Sequence, residues 1–193
     1  VAGSEDALVT INLAEGTYSP STNGETFPFE MMSHINFIGH GENETILDAE
    51  QTGRVIYIAD CINSTISNLA ITGGLQTFGG GMLLFKSNPI LNNIIISKNT
   101  AASIGGGIIL QQSNPNLTNV TISGNKAIHG GGILLIQSNP NLTNVTISGN
   151  EAIHGGGILL LYSNPILSNI AISDNTADFW GGGMFFQGSY PTL

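Results

Sequence analysis

The sequence predicts an all-β solenoid of stacked 25–26-residue coils, and three observations predict it. The stretch SNPNLTNVTISGNKAIHGGGILLIQ at 113–137 returns at 138–162 with three changes, Lys126 to Glu151, Ile136 to Leu161 and Gln137 to Tyr162. GGG stands at 79–81, 105–107, 130–132, 155–157 and 181–183, spaced 26, 25, 25 and 26, and SNP at 87, 113, 138 and 163 keeps the same beat. Glycine, Asn-Pro and β-branched residues break every window in which a helix could run. A unit this short cannot bury its own apolar face, so its core must come from stacking on its neighbours.

Each unit divides into a strand (LTNVTIS), a turn (GNKAIHGGG), a second strand (ILLIQ) and a second turn (SNPN). In the first strand Val120 and Ile122 alternate with Thr121 and Ser123, which puts one set inside and one outside. Stacking then gives an inner column of Leu69, Ile94, Val120, Val145 and Ile170 beside one of Ile71, Ile96, Ile122, Ile147 and Ile172. Two asparagine columns accompany them: Asn68, Asn93, Asn119, Asn144 and Asn169, then Asn99, Asn125, Asn150 and Asn175. Asparagine tolerates the left-handed backbone of a sharp corner, and its amide can bond to the coils above and below.

These features resemble the right-handed parallel β-helix of the pectate-lyase-like superfamily, and in particular the repeats of chlamydial-type polymorphic outer-membrane proteins. That family pairs a GGA-plus-aliphatic motif with Phe-x-x-Asn. Gly105-Gly106-Gly107-Ile108 and its counterparts stand for the first, and Ile122-Ser123-Gly124-Asn125 for the second, with Ile in place of Phe. The resemblance covers about residues 62–193, the regular repeats, which end as another coil begins. Residues 1–61 read as opening coils, with a loop projecting near 19–30. It implies a rod that is secreted or displayed on the cell surface.

Composition narrows the function. With 41% apolar residues the chain folds, and with four Lys plus Arg it has no basic stripe for nucleic acid. Residues 1–60 hold ten of the thirteen carboxylates, while 61–193 hold three charges of each sign, so the repeat body is neutral. Cys61 stands alone and reads as a small buried hydrophobe. No run of 18 apolar residues exists, and VAGSEDALVT lacks the parts of a signal peptide, so export is absent or its signal already removed.

Two features of the repeat are candidate binding sites. On the second strand, Leu134 and Ile136 point outward with Leu159, Leu161, Leu83 and Phe85, an apolar stripe of the kind that marks a contact with another protein, with a second copy, or with a covering segment. The N-terminal stretch with Phe27, Phe29, Met31 and Met32 is the covering candidate. The second feature is the column before GGG, Phe78, Ile104, His129, His154 and Trp180, in which the histidines sit near 5 Å apart and lower each other's proton affinity. His129, His154 and Trp180 are candidates for a sugar platform. A hydroxyl row, Thr72, Ser97, Ser123, Ser148 and Ser173, reads as solvated surface.

Catalytic groups are sparse. The resemblance implies clustered Asp for calcium or acid–base work, yet Glu151, Asp174 and Asp178 are the repeat body's acids and share no motif. Gly39-His40-Gly41 matches one element of polygalacturonase-like enzymes without its partner motifs, and His40 reads as a turn residue. No catalytic residue, metal ligand set or cofactor is assigned; calcium stays open only through Glu42, Glu44, Asp48 and Glu50, which match no loop template. The expectation is a non-catalytic, adhesin-like or structural β-helix rod acting by protein or glycan contact. The alternatives are a fragment of a polysaccharide lyase or glycoside hydrolase, and a self-assembling module.

Overall fold

A computed structural model describes residues 7–193. The opening residues of VAGSEDALVT, 1–6, lie outside the described residues. The chain winds into a parallel β-solenoid of about seven coils, with almost no helix. One wall is a seven-stranded parallel sheet: Phe29–Met31, Ile56–Ala59, Met82–Phe85, Ile108–Gln111, Ile133–Ile136, Ile158–Leu161 and Met184–Gln187. The other is a nine-stranded sheet whose repeat-body strands are Thr65–Thr72, Ile90–Ser97, Asn116–Ser123, Asn141–Ser148 and Ile166–Ser173.

Like stacks over like. Ile94 pairs with Leu69 and Val120, Ile122 with Ile96 and Ile147, and Val145 with Ile170. Ile71, Ile96, Ile122 and Ile147 are fully buried in one continuous cluster with Met82, Leu84, Ile108, Leu110, Ile133 and Leu135 from the facing sheet. The inner columns read from the alternation are therefore the core, and burial of these aliphatic faces is the main term favouring the coil stack.

The two asparagine columns do different jobs. Asn68, Asn93, Asn119, Asn144 and Asn169 bend the long strands in the left-handed region, with φ between 52° and 58°. Their amides form an outer ladder, Asn119 Nδ2 donating to Asn93 Oδ1 at 3.0 Å and Asn144 Nδ2 to Asn119 Oδ1 at 3.1 Å. Asn99, Asn125 and Asn150 are fully buried, and here the left-handed residue is the one before each: Lys98, Gly124 and Gly149. Asn125 Nδ2 donates to Asn150 Oδ1 and to the Ile96 carbonyl, both at 3.0 Å, and Asn125 Oδ1 accepts from Asn99 N at 3.0 Å.

A serine ladder went unread in the sequence. Ser87, Ser113, Ser138 and Ser163 of the SNP turns are fully buried. Each hydroxyl donates to the carbonyl two residues back and accepts the serine or cysteine amide of the preceding coil, as when Ser113 N donates to Ser138 Oγ at 3.0 Å. The two 26-residue spacings among the 25-residue ones also have a local cause. Thr100–Ile104 and Thr176–Trp180 carry five residues where Leu75–Phe78 and Glu151–His154 carry four, and the register shifts within each pair.

The N-terminal coils break the long strand in two. Ile35–Ile38 pairs with the first half of Thr65–Thr72 and Thr45–Asp48 with its second half, with the Gly39–Glu44 loop between. The segment at 19–30 is more structured than a projecting loop. Ser19 caps a one-turn helix, Pro20–Asn23, and Ser19 Oγ and Ser21 N donate to the Glu50 carboxylate at 2.9 and 3.0 Å. Hydrogen bonds from Ser21 and Ser19 hold the Glu50 carboxyl below its ordinary range. Phe27 and Phe29 then pack on the main core and Met31 enters it. Since these residues are spent on the core, they do not cover the outer apolar stripe.

Candidate functional site

The outer stripe and the histidine column, read as separate features in the sequence, form one groove. Its wall is the column before GGG: Ile104 is in register with Phe78 and His129, His129 with His154, and His154 with Trp180. The first glycine of each GGG turns the chain so that this wall stands over the outer face of the second strand. Gly130 has φ +66°, and a Cβ built on it would lie 2.9 Å from Leu134 Cβ, so only glycine permits both the turn and the contact. Gly131 is fixed by the neighbouring coil, since its Cβ would meet the Glu151 carbonyl oxygen at 2.5 Å.

This fold-back corrects one expectation. Leu134 and Leu159 do face away from the main core, but with Ile109 they are buried in a second apolar cluster, 1%, 4% and 1% exposed. Half-buried Leu83, Ile104, Ile136, Leu161 and Phe185 surround them. Phe85 lies outside the groove, with the Lys86 ammonium 4.9 Å from its ring centre. The groove has a volume of about 330 Å³: Leu134, Leu159 and Phe185 form its floor, Ile136, Leu161 and Gln187 its far rim.

The wall is a column of rings. His129 and His154 stack with centroids 5.0 Å apart and planes 11° apart, and His154 stacks on Trp180 at 4.7 Å and 25°. Trp180 stacks in turn against Phe185 at 5.6 Å. The two histidine rings and Trp180 thus stack face to face from coil to coil, and Trp180 also stacks on Phe185 of its own coil. His154 Nδ1 is buried with no hydrogen-bond partner. The proton affinity of His129 is lowered, chiefly by burial and then by His154, so repulsion, the cause expected from spacing, is the smaller of the two.

The remaining candidates scatter. Lys126 Nζ pairs with Glu151 Oε2 at 2.9 Å, and with Asp178 they line a shallow depression of about 140 Å³ away from the groove. Sequence reading kept these acids apart; the extra residue in Thr176–Trp180 brings Asp178 to that depression. Glu44 sits 3.6 Å from His40 Nε2, Asp48 accepts from Glu50 N at 2.8 Å, and the Glu50 carboxylate accepts from Ser19 Oγ, so these three entry acids do not converge on one point. Among the described residues, no three His, Cys, Asp or Glu side chains gather as a metal site would require. Cys61 is buried, its thiol donating to the Met31 carbonyl at 3.1 Å, and burial raises its pKa.

Fold and groove together define the chain as a parallel β-solenoid with an apolar cleft along the side of its later coils. Residues 106–193 match the family model described as "right handed beta helix region". No curated protein matches the chain. Among solved structures, the chain is similar to the A-module of the mannuronan C-5 epimerase AlgE4 of Azotobacter vinelandii, at 12% identity over 95% of this chain and 90% of that one, with a TM-score of 0.30. The A-module of AlgE6 from the same organism matches at 12% identity over 95% and 91%, with a TM-score of 0.18. Likenesses this low carry no argument about activity.

Proposed function

We propose that this chain is a non-catalytic β-helix rod, secreted or displayed at the cell surface, that works by contact through its grooved side. The observation that supports it is the groove itself, in which successive coils place apolar and ring side chains in register and no Asp, Glu, Lys or Arg takes part. Catalysis requires dissimilar polar groups converging at one point, whereas a repeated lining suits extended contact. Placement outside the cell draws on the resemblance of the GGG-aliphatic repeats to surface proteins. Incubation with pectate, alginate and neutral glycans in the presence of calcium is expected to leave them unchanged. Release of unsaturated or reducing ends, or a changed uronate composition, would overturn the reading.

A polysaccharide-processing role has one observation on its side, the Lys126–Glu151–Asp178 depression. If it is correct, any activity in that assay disappears in Glu151→Gln and Asp178→Asn variants. The ion pair at 2.9 Å argues against it, because it leaves Glu151 already matched to a cation.

A further inference from the structure

We infer that the groove takes a linear alkyl chain, that of a soluble single-chain amphiphile, laid parallel to the rod axis with its polar head at the Gln187 end. This rests on the contact reading above and names the chemistry of what is contacted. Three observations select the occupant.

The first is hydrogen bonding. Backbone groups along the groove are already paired coil to coil: Gly130 N donates to the His154 carbonyl and Ile133 N to the Gly157 carbonyl, both at 2.9 Å, and Leu134 and Leu159 are registered ladder partners. An extended peptide or a sugar lying on this floor would bury most of its amides or hydroxyls unpaired, because the lining offers them only the two histidines and Gln187. An alkyl chain has none to bury.

The second is charge. The groove is lined by Ile, Leu, Phe, Trp, two His and Gln187, while Lys126, Glu151 and Asp178 lie in the other depression. A charged polymer finds no counter-charge along the floor, and an uncharged hydrocarbon needs none. Gln187 is the one non-ring polar side chain in the lining and sits on the last coil, which is where a head group finds a partner.

The third is size. From Ile104 to Trp180 the wall spans three coil spacings, about 14 Å at the usual strand separation. A volume of about 330 Å³ over that length leaves a cross-section of about 20 Å². A helix about 10 Å across is several times too wide. A single alkyl chain fits.

Trp180, the chain's one tryptophan, stands in the wall and reports directly on occupancy. Titrating the full chain with decanol and dodecanol should give a saturable blue shift of its emission. Dodecanol should bind about fifteenfold more tightly, from about fourfold for each of its two added methylenes. Ile136→Glu combined with Leu161→Glu, both half-buried positions, should abolish the shift while leaving the circular-dichroism spectrum unchanged. No shift, a shift independent of chain length, or a saturable shift with a neutral oligosaccharide in place of the alkanol would overturn the proposal. The chain-length comparison decides it on the unmodified protein even if the double variant does not fold. Glycan cleavage would sink the non-catalytic reading while leaving the alkanol titration intact, so the two failures are distinguishable.

Discussion

Asn119 and Asn125 lie six residues apart in the same coil, each repeated every 25–26 residues, yet they hold the solenoid in different ways. Asn119 is exposed, takes φ +54° and donates one side-chain bond to Asn93 across water-accessible surface. Asn125 is fully buried, leaves the left-handed position to Gly124, and bridges three coils with both ends of its amide. Residue type and period are the same for both, so neither tells them apart. What separates them is whether water is available as the alternative partner, and that depends on which side of the wall the side chain faces.

The largest effect that sharpens this contrast is expected at the buried column. Asn125→Ala strands the Ile96 carbonyl and the Asn99 amide in the core, and should cost about 3 kcal/mol in chemical denaturation. At the exposed column, Asn119→Ala should cost about 1 kcal/mol, because the loss is mainly backbone strain at positive φ. Asn119→Gly should nearly restore stability, whereas Asn125→Gly should not. Equal losses at the two columns, or rescue of both by glycine, would erase the distinction.

The smallest effect concerns the wall. His129 binds its proton more weakly folded than unfolded, so the unfolded chain takes up more protons as pH falls through about 6.5 and stability declines below that point. Above it the contribution is constant. His129→Gln should flatten this part of the stability profile between pH 5 and 7 without changing the neutral-pH value greatly, as read from thermal midpoints.

The fold was legible because a 25-residue period forces like residues into register, and alternation within Asn116–Ser123 then fixes which face is inside. The columns of Ile122 and Ile147 follow from that alone, and so does the vertical stack of His129 on His154. The groove was legible only in parts. Nothing in ILLIQ or in AIHGGG says that the turn at Gly130 folds the histidine wall back over Leu134; that depends on a φ of +66°, for which glycine is a signal but not a direction. The serine ladder was hidden because SNP also spells an ordinary exposed turn. In the 19–30 segment, polar composition pointed to a loop, and the capture of Ser19 and Ser21 by Glu50, about thirty residues on, was not encoded in any local pattern.

The account stands on vertical register between successive coils. Thr121 and Thr146 are paired on adjacent parallel strands with side chains outside the core, so a Thr121→Cys, Thr146→Cys variant in a Cys61→Ser background should form a disulfide readily under mild oxidation. A Thr121→Cys, Thr143→Cys control, three residues out of register, should stay reduced. Cross-linking of the control as fast as the in-register pair, or of neither, would contradict the stacking from which both the core and the groove are built.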